Sequence, residues 1–236
     1  MAGFSPRPAS EGKVKRPSTV RIIGGRWKRT ALHVAGLPDL RPTPDRVRET
    51  VFNWLTHQFG GSLEGISVLD LFAGSGAMGF EAASRGAARV VLVDRNAAAV
   101  AALIDAKERL KADAIEVIRS DALAAARSYR RSDAKTESQV DSGSEETAGG
   151  FDLVFVDPPY RQQWLERVLP LAPRLLSRHG IVYAEAEAPL DATTVNTFGL
   201  ELVRADKAGQ VFYHLLRPAL VQTAHIETQA QHENPP

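Results

Sequence analysis

Leu153-Val-Phe-Val-Asp-Pro-Pro-Tyr160 is the stretch on which the reading of this chain turns. Leu153 to Val156 form an apolar run that fits a parallel strand covered on both faces, and Pro158, lacking an N–H, ends the ladder. Asp157, Pro158, Pro159 and Tyr160 then stand beyond a strand's carboxyl end, where open α/β sheets bind ligands. Their chemistry suits a planar amine. The lone pair of a nucleobase's exocyclic amine is delocalised into the ring, and the nitrogen gains reactivity only as it pyramidalises. The Asp157 carboxylate can accept one N–H and the Pro158 carbonyl another, while Tyr160 offers a ring on which a base stacks. An Asp-Pro-Pro turn can also simply end a strand, so the assignment rests on a cofactor site elsewhere.

That site lies upstream, in Ile66-Ser-Val-Leu-Asp-Leu-Phe-Ala-Gly-Ser-Gly-Ala-Met-Gly-Phe-Glu81. A strand ends at Asp70, and a turn containing Phe72, Gly74 and Gly76 opens a helix. The glycines allow a close backbone approach, and the helix N-terminus favours an anionic group. Asp94 closes a second strand about 20 residues past the first glycine, the spacing of an acid that grips ribose hydroxyls. Gly74-Ser-Gly-Ala-Met-Gly79 also fits the dinucleotide fingerprint of a dehydrogenase. Asp70 argues against that: it would crowd a pyrophosphate, but it suits a cofactor carrying an ammonium group, as S-adenosylmethionine does. A hydride transfer also has no use for the Asp-Pro-Pro-Tyr turn. Together the two sites read as a methyltransferase.

Four segments carry a family resemblance: Arg21-Ile-Ile-Gly-Gly-Arg26, Leu40-Arg-Pro-Thr-Pro-Asp-Arg-Val-Arg-Glu-Thr-Val-Phe-Asn-Trp-Leu55, Leu69-Asp-Leu-Phe-Ala-Gly-Ser-Gly76 and Phe155-Val-Asp-Pro-Pro-Tyr160. In this order, over roughly residues 20 to 217, the chain resembles the RsmD family of bacterial 16S rRNA (guanine-N2)-methyltransferases, which act on guanine 966 in standard rRNA numbering. The resemblance implies an α/β, Rossmann-like class I S-adenosylmethionine-dependent fold. It further implies a seven-stranded, mostly parallel sheet in order 3-2-1-4-5-7-6, strand seven reversed, and a segment around residues 44–56 that closes over cofactor and base. Its expected partner is 16S rRNA or the assembling small subunit. Related readings are a DNA adenine-N6 methyltransferase, which usually adds a target-recognition domain, and a protein glutamine methyltransferase, which prefers Asn where this chain has Asp157. A non-catalytic RNA-binding module retaining the fold is the other alternative.

Composition sets bounds on these readings. The chain has 236 residues, 44% of them hydrophobic, enough for one substantial core with small appendages. It has no cysteine, which excludes disulfides and thiolate metal sites. No metal is expected. Residues 1–20 lack the apolar core of a signal peptide and no run reaches membrane-spanning length, so a soluble, cytoplasmic protein is expected; separately, a monomer is expected. The net charge of +1 conceals a basic end: residues 1–30 carry eight Lys or Arg against one acid, Glu11. Arg26, Trp27 and Lys28 beside Gly24-Gly25 read as a short hairpin that offers RNA two charges and a ring.

A helix over 44–56 starts at Thr43 or Asp45 as cap, with Pro44 in its first turn. It buries Val47, Val51, Trp54 and Leu55 and leaves Arg46, Glu49 and Asn53 outward, the first and last of these as further RNA contacts. Strands are expected over 88–94 and 114–119 around a helix over 97–111. Asp121 then either accepts an adenine amine or caps the next helix. Residues 127–150 read as a flexible insertion, residues 1–19 and 218–236 as disordered tails, 20–60 as an N-terminal extension and 61–217 as the catalytic domain. A helix over 163–176, a strand over 180–187 and a hairpin over 200–216 complete the pattern.

Overall fold

A computed structural model describes residues 19–34, 43–129, 150–159 and 163–219. Two strands, β1 (Thr19–Arg21) and β2 (Ala31–His33), pair antiparallel and precede helix α1 (Asp45–Gln58). Then follow β3 (Ser67–Asp70), α2 (Ala77–Ser84), β4 (Arg89–Asp94), α3 (Ala97–Leu110), β5 (Ile115–Arg119), α4 (Ala122–Ser128) and β6 (Phe151–Val156). The chain continues through α5 (Trp164–Val168), a 3-10 turn (Leu169–Leu171), α6 (Ala172–Leu175), β7 (Leu176–Ala186), α7 (Ala192–Thr197), β8 (Leu200–Ala208) and β9 (Val211–Pro218).

The large sheet runs β5-β4-β3-β6-β7-β9-β8, with β9 antiparallel to both neighbours. In strand order this is 3-2-1-4-5-7-6, as the resemblance implied. Alternation along the central strands builds a core on each face. Val68, Val90, Leu92, Leu153, Phe155, Ile181 and Tyr183 join α1, α2, α3 and the N-terminal hairpin. Leu69, Val91, Val93, Val154, Val156, Val182 and Ala184 join α4 to α7. Continuous apolar runs such as Leu153–Val156 are therefore buried on both sides.

Several local expectations are corrected. The helix expected over 163–176 is broken, because Pro170 and Pro173 each withhold an N–H and accompany a tight turn followed by a four-residue helix. Leu176 instead opens β7, which starts earlier than position 180 and carries an irregularity in its pairing with β6. Helix α4 reaches Ser128, and the Tyr129 ring sits edge-on to Phe151 at 5.1 Å, so residues 127–129 belong to the folded unit. Residues 130–149, 1–18 and 220–236 lie outside the described residues. Thr19 already belongs to β1 and Pro218 to β9, each inside a segment expected as tail.

Helix α1 buries Val47, Val51, Trp54 and Leu55 as expected, together with Phe52 and the whole of Arg48. The Arg48 guanidinium donates to the Arg21 carbonyl at 2.7 Å and to Asp45 at 2.8 Å, tying helix to hairpin. The hairpin itself is latched to α2. Buried Glu81 accepts the N–H groups of Ile23 (2.6 Å) and Gly24 (2.8 Å), and the Ser84 hydroxyl donates to the Gly24 carbonyl and accepts from Trp27 N–H. Gly25 has φ 72°, and a Cβ there would fall 1.9 Å from the Ser84 carbonyl oxygen, so only glycine permits this approach.

Candidate active site

Strand parity places four acids on one face of the sheet's carboxyl edge. Asp94, Asp70, Asp157 and Glu185 belong to or directly follow β4, β3, β6 and β7, which are consecutive in the sheet. Asp70 is opposite Phe155, two residues before Asp157. Strand spacings then put the Cα atoms of Asp70 and Asp157 about 8 Å apart. Val156 pairs with Ala184, so Asp157 and Glu185 follow in register on neighbouring strands.

The glycine turn folds tightly over β3. Gly74 donates to Asp94 at 2.9 Å, Asn96 N–H donates to the other Asp94 oxygen at 2.7 Å, and Ala73 N–H reaches the Val93 carbonyl. Gly76 has φ 76°, and a Cβ there would meet Leu103 and Phe80 at 2.6 and 2.7 Å. Its need for glycine is thus set by the turn and by packing, where sequence spacing had suggested approach to a ligand. Asp70 is buried and accepts from Phe72 N–H at 3.3 Å. Burial, with Asp94 nearby, raises its carboxyl to about 7, and no cation among the described residues offsets this. A ligand bringing an ammonium group would supply the missing charge, so the residues present fit S-adenosylmethionine.

The Phe72 ring meets Trp164 of α5 edge-on at 5.4 Å, which couples the glycine turn to the wall of a neighbouring cleft. Asp121 caps α4 by accepting from Leu123 and Ala124 through one oxygen, leaving the second uncommitted to the cap.

Beyond Pro158 and Pro159 opens a cleft of about 650 Å³, walled by Trp164, Leu190 and Phe198 and reached by Glu185. This volume lies within the usual range for small-ligand sites. Tyr160 lies outside the described residues. Glu185, at the edge of this cleft, interacts with Asp157 on the neighbouring strand. Desolvation, then Glu185 and Asp70, hold the Asp157 carboxyl well above the usual range, and desolvation raises Glu185 as well. Ionising both acids of such a pair together is disfavoured. Thr43 donates to Glu185 at 2.8 Å and to Asp157 at 3.4 Å, and the Tyr183 hydroxyl donates to Glu185 at 2.6 Å.

Thr43 is therefore not the cap of α1, which has no side-chain cap. Its hydroxyl is drawn to the paired carboxylates because these are the stronger acceptors. Sequence reasoning missed Glu185 too. The available signal was an acid two residues past Tyr183 in the otherwise apolar run over residues 181–186, but its partner depends on register.

The RNA-contact candidates fall elsewhere. Arg26 and Lys28 are exposed in the hairpin loop, which docks at the C-terminal end of α2. Eight helical residues separate that end from the glycine turn, about 12 Å along the axis. Trp27 is half-buried against the core with Arg26 over its ring, so it is less available as a stacking face than the sequence suggested. Arg46 and Asn53 are exposed on α1.

The chain matches the family model described as "Conserved hypothetical protein 95" over residues 20–217. It is 37% identical over 198 residues to ribosomal RNA small subunit methyltransferase D of Escherichia coli (strain K12), covering 83% of this chain and 88% of that one. The chain belongs to the RsmD family. A Haemophilus influenzae member with the same description is 31% identical, with 86% of this chain and 97% of that one covered. The solved yhhF structure from Escherichia coli superposes with TM-score 0.65 at 34% identity, covering 85% of this chain and 98% of that one. The RsmD family and the sheet order together establish a class I methyltransferase fold. Among the described residues no helix is long and apolar enough to cross a membrane.

Proposed function

We propose that this chain transfers a methyl group from S-adenosylmethionine to the exocyclic N2 amine of a guanine in small-subunit rRNA, guanine 966 by family resemblance, in the cytoplasm. The observation that carries the reading is the adjacency of the two carboxyl-end loops: Asp70 and Asp157 stand one strand and two residues apart. Curated RsmD relatives named as small-subunit rRNA methyltransferases supply the substrate class.

S-adenosylmethionine, when bound, supplies an electrophilic methyl group on a sulfonium. Asp70 would face the ammonium group, Asp94 the ribose, and the uncommitted oxygen of Asp121 the adenine amine. Asp157 and the Pro158 carbonyl would accept N–H bonds from the target amine, and Pro159 would keep the turn rigid for Tyr160 to stack on the base. Asp157 and Pro158 would hold the amine nitrogen with its lone pair facing that methyl group. The nitrogen's surplus proton then passes to the Asp157 carboxylate and on to solvent. Placement accounts for most of the acceleration. Arg26 and Lys28 would hold rRNA phosphates at a distance, with Arg46 and Asn53 nearer the site.

Asp157→Ala should lower kcat on small-subunit rRNA by at least about 10³-fold while S-adenosylmethionine affinity, measured by calorimetry, stays within about threefold. Normal turnover in this variant would refute the role given to the turn.

A further inference from the structure

Glu185 is the buried group whose surroundings the assigned chemistry leaves unexplained. It is 4% exposed, yet it is among the residues that line the cleft beside Pro158. Both of its neutral donors, Tyr183 and Thr43, land on one oxygen, Oε1. The second oxygen takes neither donor, and the same carboxyl group is hydrogen-bonded with Asp157. Tyr183 is itself locked by packing edge-on against Phe155 at 5.8 Å, and Thr43 is held at the start of α1. The carboxylate is thus fixed in orientation from two directions.

An ionised carboxylate only accepts hydrogen bonds. Guanine presents adjacent donors, N1–H and the N2 amine, on its Watson–Crick edge. Adenine and 2-aminopurine present a lone pair at N1 instead. A site with two acceptors side by side matches the first edge and repels the others.

We propose that Glu185 is a specificity-determining residue that accepts guanine N1–H while Asp157 and Pro158 accept the N2 amine, so that the paired acids select guanine. This deepens the guanine-N2 reading and rests on it. On entry of the base, its two N–H donors offset the negative charge that the buried pair otherwise disfavours. Apolar Trp164, Leu190 and Phe198 enclose the ring, and burial strengthens the discrimination because an N1 lone pair facing the carboxylate finds no water.

The test compares rRNA assembled with its small-subunit proteins and carrying either guanine or 2-aminopurine at the target position, with methylated nucleosides identified by mass spectrometry. The wild-type protein should favour guanine in kcat/KM by roughly 10²-fold or more. In Glu185→Gln the amide oxygen stays on Tyr183 and Thr43, which turns the NH₂ group toward the base. Turnover of guanine should then fall by about 10- to 100-fold, whereas that of 2-aminopurine stays level or rises. Glu185→Ala should bring the two bases within about tenfold of each other, and both variants should bind S-adenosylmethionine like the wild type. The missing O6 of 2-aminopurine is common to every protein tested, so the change in ratio reports on N1 alone. An equal fall on both bases in Glu185→Gln would reduce Glu185 to a structural role and overturn the proposal alone. Methyl groups found on an atom other than N2 would overturn the activity reading and this proposal with it.

Discussion

Asp70→Asn should make the ligand-free protein more stable at pH 8 and less stable at pH 4. In the fold the Asp70 carboxyl titrates at about 7, against 3.8 as its ordinary value, chiefly because burial disfavours the charge. A raised acid binds its proton more tightly folded than unfolded, so stability falls as pH climbs between the two values. The full penalty, present above pH 7, is of the order of 4 kcal/mol. Asparagine removes it but turns an NH₂ toward one of the backbone N–H groups that Asp70 accepts from, a loss of about 1–2 kcal/mol. The net gain at pH 8 is then about 2–3 kcal/mol, or roughly 5–10 °C in Tm for a chain of this size. At pH 4 only the loss remains, so the two Tm curves should cross near pH 5. Thermal unfolding of both proteins in matched buffers checks this, and calorimetry should show that the stabilised variant no longer binds S-adenosylmethionine. Parallel Tm curves, or a variant that is less stable at every pH, would refute the idea that Asp70 is a strained acid awaiting a cationic ligand.

The N-terminal contacts supply two further tests. Glu81→Ala leaves the N–H groups of Ile23 and Gly24 without their carboxylate, at a cost of about 3–5 kcal/mol, enough to release the hairpin; trypsin should cut at Arg26 and Lys28 at least about tenfold faster, and unchanged cleavage would show that the latch is dispensable. Reversing charge at Arg26 and Lys28 together should raise KM for rRNA and flatten the log–log salt dependence by about 1.5 to 2; an unchanged slope would remove these residues from the RNA interface.

How far each part of the site was legible follows from how local its cause is. Asp157 and its prolines are recognisable because one short segment holds both the buried strand and its end. Asn96 and Asp121 cap helices within three residues of their own positions, as their side-chain chemistry favours. Pro170 and Pro173 were visible as helix breakers, and the expectation of one continuous helix gave them too little weight. Thr43 has a local role that the chain does not use, because a carboxylate 142 residues away is the better acceptor. Trp27 likewise has a ring suited to RNA, but the docked hairpin half-buries it against the core.

Sequence alone determined the succession of the parallel strands and the two turns at their carboxyl ends, and it suggested the chemistry they suit, since all of these follow from residue types within a few positions. Tertiary structure decided that Asp70 would be buried without a cation, that Glu185 would stand in register beside Asp157, and that Thr43 and Tyr183 would fix it there. It also decided that Glu81 would hold the N-terminal hairpin. Each of these comes from strand pairing and side-chain burial between distant segments, where a shift of one residue would turn every acid on the row to the opposite face.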